Sequence, residues 1–210
     1  METKVKRDVT IRPHVQQFRG EQDDVVPMSW VDVCNELKEP RMAHHHERGP
    51  SGWVLGRNDE QSVRKASASG SRWCVVVDLD AELAKGDKPA KGDPDLSPEK
   101  LKALLTRAIP GSSWAAHTTK RSTPECWRWR VLIPLTQPVK TGRTPEKPDA
   151  YRAIAGMIRG FLTLVGSKAG EADNGWWKSE MGWYMPAPSR HYESIIHEGE
   201  GFLNTEDPIA

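Results

Sequence analysis

Hydrophobic positions change period from one segment of this chain to the next. "RWCVVVDLD", residues 72 to 80, is an almost unbroken apolar run, the pattern of a strand buried on both faces. "SPEKLKALLTRAIPG" instead repeats every three and four residues. Leu101, Leu104, Leu105, Ala108 and Ile109 form one stripe, with Ser97 as N-cap, Pro98 at the first helical position and Pro110–Gly111 as the stop. "SWAAHTTKRSTPECWRWRVLIPL" predicts two strands joined by the polar turn "KRSTPE". In the second strand Trp127, Trp129, Val131 and Ile133 share a face, Arg128, Arg130 and Leu132 take the other, and Pro134 closes it. "DAYRAIAGMIRGFLTLVG" returns to a helical period through Ile154, Met157, Ile158, Phe161, Leu162 and Val165, and Gly166 suits the C-cap.

Weaker signals flank this middle. "SWVDVCNELKEP" predicts a short helix capped by Ser29, with Asp32 at the capping-box position and Pro40 as its end. "GWVLG" and "GWYMP" read as short strands, and residues 1 to about 26 as an extended or frayed arm. The order strand, helix, hairpin, helix, strand defines a mixed α/β class with a largely antiparallel sheet and helices packed on it. One domain is expected over 28–205, between an arm at 1–27 and a tail at 206–210.

Composition narrows the picture modestly. Among 210 residues there are nine tryptophans against three phenylalanines and three tyrosines, so much of the aromatic bulk carries a hydrogen-bond donor. A net charge of +1 leaves a nucleic-acid partner open, because only local charge matters to a binding groove. Cys34, Cys74 and Cys126 are odd in number and lack CxxC spacing, which argues against a disulfide framework or zinc knuckle and suits a reducing compartment. The sequence carries no signal-peptide pattern and no apolar run of membrane-spanning length.

The chemistry concentrates where the apolar strand ends. Asp78 and Asp80 fall on one face, roughly 7 Å apart at Cα. Two like charges so close need a divalent cation or a basic partner. Lys120 in the hairpin turn and Arg128 and Arg130 on its second strand supply positive charge, provided that hairpin lies beside the Asp78 strand. Carboxylates facing cations across a cleft suit phosphoryl transfer. No GxxxxGK[ST] pattern occurs, which excludes a P-loop ATPase. His44, His45 and His46 are consecutive and set among polar residues, so they read as a solvated loop.

"CVVVDLD", "HTTKRSTPECWRWRVLIPLTQPV" and "EADNGWWKSEMGWYMPAPSR", in that order, resemble the primase-polymerase domains of phage and plasmid replication proteins, within the archaeo-eukaryotic primase superfamily. The likeness spans roughly residues 28 to 205. It implies a catalytic core with an RNA-recognition-like, mostly antiparallel sheet packed by helices, plus a small N-terminal α/β lobe. It implies template-dependent nucleotidyl transfer on single-stranded DNA in the cytoplasm of a bacterial host. Asp78, Asp80 and Asp173 would be the catalytic carboxylates holding two Mg²⁺ or Mn²⁺ ions, and Arg128 and Arg130 would bind phosphates of nucleoside triphosphates or support the acidic cluster. The second motif departs from the family. Alignment on "STPE" puts Lys120 where a histidine is usual, and a shift would recruit His117 instead. Lys85, Lys88 and Lys91 are candidate template contacts, with Trp176 and Trp177 as stacking surfaces. The resemblance also implies no membrane and, as partner, a replicative helicase domain or protein, of which this chain would be an excised neighbour. Two rivals remain. One is a catalytically weak or inactive nucleic-acid-binding protein of the same fold. The other is a rolling-circle nicking endonuclease using the three histidines and Tyr151 or Tyr192.

Overall fold

The structure, a computed structural model, describes residues 14–19, 22–40, 45–46, 49–50, 52–58, 70–79, 96–120, 122–141, 150–165, 183–184, 186 and 188–206. In chain order these form β1 (His14–Arg19), β2 (Gln22–Pro27), α1 (Trp30–Lys38), β3 (His45–His46), β4 (Gly49–Pro50), β5 (Gly52–Val54) and β6 (Gly56–Asn58). Then come β7 (Gly70–Leu79), α2 (Pro98–Ala108), β8 (Trp114–Thr118), β9 (Trp129–Thr141), α3 (Ala150–Leu164), β10 (Trp183–Tyr184) and β11 (Ser194–His197). The class is mixed α and β, as the alternating periods predict.

The central sheet has the order β11-β8-β9-β7-β6, and every neighbouring pair is antiparallel. Since β9 opposes both β7 and β8, those two run parallel with β9 between them, and the β7-to-β8 connection through α2 crosses over one strand. A second antiparallel sheet has the order β10-β5-β1-β2. The two sheets meet at Leu55, which is buried between β5 and β6 and accepts a hydrogen bond from the Trp73 amide at 3.2 Å.

One face of the central sheet takes α2 and α3. Val75, Val77, Leu79, Trp129, Val131 and Ile133 alternate onto it and are essentially solvent-free. Leu101, Leu105, Ile158 and Leu162 meet them at 0% exposure, each worth about 1.5–3 kcal/mol relative to an exposed side chain. Trp129 is buried whole, and its indole nitrogen donates to the Leu96 carbonyl at 2.8 Å, just before α2 begins. Tyr151 is buried at the start of α3, where its hydroxyl accepts from the Val76 amide on the edge of β7 that β6 does not reach.

The opposite face takes α1, through Val33, Cys34 and Leu37. Its start is fixed by the capping box: the Asp32 amide donates to Ser29 Oγ at 3.1 Å, and the Ser29 amide to Asp32 Oδ2 at 2.7 Å.

Two expectations are corrected. Residues 14–19 and 22–27, expected in an extended or frayed arm, are extended but pair as the antiparallel strands β1 and β2, from His14 opposite Pro27 to Arg19 opposite Gln22. Strand β9 does not close at Pro134 but spans thirteen residues, Trp129–Thr141, taking in "TQPVKT" beyond the expected stop. Pro134 lies opposite Cys74, where the β7 register shifts between Arg72 and Cys74. At such an irregularity a missing amide breaks no ladder bond. The Pro134 carbonyl still accepts from Leu203 at 3.0 Å. No helix among the described residues is long and apolar enough to cross a membrane.

Candidate functional site

Register brings four side chains into one line across the central sheet. Asp78 pairs with Arg130, Arg130 with His117, and His117 with Ser194, so β7, β9, β8 and β11 each contribute one residue. Directly opposed residues project to the same side of a sheet. That side is the one α1 covers, opposite Leu79 and Trp129. The line lies at one end of the sheet, where β7 and β8 finish and β9 and β11 start.

Within the line, Arg130 Nη2 donates to Asp78 Oδ2 at 2.9 Å, and the two side chains are 13% and 9% exposed. This is the basic partner that the crowded carboxylates require. The other oxygen, Asp78 Oδ1, is buried and finds no hydrogen-bond partner among the described residues. A buried carboxylate oxygen accepts strongly and is seldom left unmatched in a native fold.

His117 is 3% exposed and stays neutral. Burial, then the adjacent Arg130 charge, push its pKa down to about 3, against the opposing effect of a hydrogen bond to backbone. That bond joins Nδ1 to the Thr118 carbonyl at 2.9 Å. A carbonyl only accepts, so Nδ1 carries the proton and Nε2 holds the lone pair. The Tyr192 ring stacks on His117, with centroids 6.2 Å apart and planes inclined by 27°.

The chain between β8 and β9 extends this end. The Thr119 amide donates to the Arg128 carbonyl at 2.9 Å, adding one step to the ladder, and Ser122 Oγ accepts from the Arg128 amide. Trp127 stacks on Trp129 at 5.6 Å, which keeps residues 127–129 extended and puts Arg128 on the Arg130 side. Lys120 follows, exposed. From the other side, residues 189–193 return along the end of β8. Thr118 Oγ1 donates to the His191 carbonyl at 3.1 Å and accepts from the Glu193 amide at 2.8 Å, and the Thr118 amide donates to Glu193.

The site residues read from the sequence therefore divide. Asp78, His117, Arg128 and Arg130 come together, with Lys120 at the rim. His117 stands in register with Asp78, whereas Lys120 lies beyond the last paired residue of β8. Asp80 and Asp173 lie outside the described residues, as do Lys85, Lys88, Lys91, Trp176 and Trp177. The backbone of His45–His46 pairs with Gly49–Pro50. Both tyrosines proposed as nicking nucleophiles are engaged elsewhere: Tyr151 on Val76, and Tyr192 donating to the Leu37 carbonyl. Burial also holds the Tyr192 phenol well above its ordinary pKa, which opposes a nucleophilic role. Ser194 had no marker in the sequence, and Tyr192 was read there only as a candidate nucleophile; tertiary register brings them to this line beside Thr118.

Whether these residues suit a divalent cation can be tested on their chemistry. One buried, unmatched carboxylate oxygen is the hard donor that Mg²⁺ or Mn²⁺ takes. No cluster of three ligand side chains forms among the described residues, and two of the three expected carboxylates lie outside them. Among the described residues, Asp78 Oδ1 supplies one such donor. Comparisons with protein-family models, with curated proteins and with solved structures find no match to this chain.

Proposed function

We propose that the chain is a nucleotidyltransferase of the primase-polymerase kind, joining nucleotides on a single-stranded DNA template. The observation that carries this reading is the buried Asp78 carboxylate, with one oxygen held by Arg130 and the other unmatched, at the sheet end where Arg128 and Lys120 emerge. The resemblance in sequence supplies the reaction class. The β7-α2-β8-β9-α3 order, with β9 between β7 and β8 and both helices on one face, is consistent with the RNA-recognition-like sheet that the resemblance implies.

In this reading a nucleotide 3′-hydroxyl attacks the α-phosphate of an incoming nucleoside triphosphate, and pyrophosphate leaves. Asp78, with Asp80 and Asp173, would hold Mg²⁺ or Mn²⁺, which when bound supplies charge stabilisation at the transferring phosphate. Arg130 fixes the carboxylate by occupying Oδ2 and so aims Oδ1 away from itself. Arg128 and Lys120 bring charge to the polyphosphate, Lys120 as a point charge. His117, neutral, offers Nε2 as an acceptor for a donor group of the substrate and adds no positive charge of its own.

The test is incorporation of labelled nucleotides on single-stranded DNA, with and without a primer, in Mn²⁺ or Mg²⁺. Wild type is expected to give metal-dependent product, and Asp78→Asn to lose it while the circular dichroism spectrum stays native. A second reading, binding without transfer, is favoured by one observation: Arg130 already compensates Asp78. It predicts a chain that binds DNA or nucleotide and makes no product under any of these conditions.

A further inference from the structure

We propose that Arg190, on a turn tied to the end of β8, forms with Lys120 a contact for the phosphate backbone of a single nucleic-acid strand crossing this end of the sheet. The inference rests on the nucleic-acid reading above and adds to it a residue and a direction of approach.

The turn at 189–193 is built to be rigid. The Tyr192 amide donates to the Ser189 carbonyl at 3.2 Å, Thr118 binds His191 and Glu193 through its hydroxyl, and the Tyr192 hydroxyl reaches the end of α1. Arg190 sits on that support, exposed, and makes no ion pair among the described residues. No carboxylate among the described residues takes up its charge. Lys120 is in the same condition, two residues past Thr118, while Arg190 adjoins the His191 carbonyl that Thr118 holds. One threonine thus anchors both cations beside the Asp78 line. Among the described residues, exposed Glu125 and Glu193 share this end, so its positive charge is not a diffuse basic surface. Attraction must come from discrete cations, and removing one should register. An arginine already held on a rigid turn loses less entropy on meeting a phosphate than one on a loose loop.

Fluorescence anisotropy with a labelled oligo-dT strand over a salt series tests this on the full chain. Arg190→Gln and Lys120→Gln would be measured beside Arg107→Gln, an exposed arginine on α2 at the other face. For each of the first two, the slope of log affinity against log salt should fall by about 0.7, the value for one phosphate contact on a single strand. Affinity at low salt should drop several-fold, and Arg107→Gln should match wild type. An unchanged slope in Arg190→Gln overturns the inference, as does an equal change in Arg107→Gln. So does a loss confined to free triphosphate binding with oligonucleotide binding intact. A wild-type chain that fails to bind the strand at low salt overturns the nucleic-acid reading itself, and that failure is distinguishable from the others because it precedes any substitution.

Discussion

Removing either partner of the Asp78–Arg130 pair strips a buried charge of its counter-ion there, which typically costs more than the pair itself contributes. Asp78→Ala and Arg130→Ala should each lower stability by about 3 kcal/mol, the low end for buried pairs, because solvent still reaches both side chains. The double variant should lose clearly less than the sum, and urea denaturation of the four proteins measures the difference. Strict additivity would show that the two side chains do not interact in solution.

His117 makes a prediction in pH. Its native pKa of about 3 lies below the usual 6.5, so between these values the unfolded chain binds more protons than the native one. The contribution is complete above pH 6.5 and is lost as pH falls towards 3. Between pH 7 and pH 5 that amounts to about 2 kcal/mol. Arg130 and Tyr192 are the charged and titratable groups facing the ring. Burial moves the Tyr192 phenol up and away from this window, so stability of a His117→Gln variant should decline less over it than wild type. Parallel declines would mean that His117 is protonated in the native protein.

At the scale of elements, what the sequence disclosed depended on how local the cause was. Helices α1 and α2 were legible to within a residue, because Ser29–Asp32 and Ser97–Pro98 mark their starts and a three-four apolar repeat needs no distant partner. Ser29→Ala should therefore cost about 1 kcal/mol, read by thermal or urea unfolding. Continuation of β9 through Pro134 was not legible, since it depends on a register shift in a strand sixty residues earlier in the chain. For the same reason the acidic pair and its arginines could be named from sequence, while the Asp78–Arg130–His117 alignment could not: a slip of one residue would send every member to the other face. A further contact of this non-local kind is Gly199, where a β-carbon would collide with the Gly111 carbonyl oxygen. Gly199→Ala should destabilise by about 1–3 kcal/mol, because backbone rather than a flexible side chain must yield. A neutral result in the same unfolding assay would place this loop elsewhere.

Across the whole molecule, two antiparallel sheets meet at Leu55, and the larger one concentrates its chemistry at a single end. Segments from residues 119–128 and 189–193 converge there on Thr118, and α1 is tied to them by Tyr192. Helices α2 and α3 bury the apolar face, and the polar line faces the other way. What the unmatched oxygen of Asp78 binds decides between a metal site and a structural ion pair. Titration of Mn²⁺ followed by electron paramagnetic resonance, with and without nucleoside triphosphate, addresses that without requiring turnover. Wild type should immobilise Mn²⁺, more tightly when triphosphate is present. Asp78→Asn should weaken binding by at least the roughly 10- to 100-fold that loss of even an outer partner of a metal site causes, while Lys120→Gln should retain the ion in the absence of triphosphate. Equal Mn²⁺ binding by wild type and Asp78→Asn, or none by either, would contradict the account and leave Asp78 as one half of a structural ion pair.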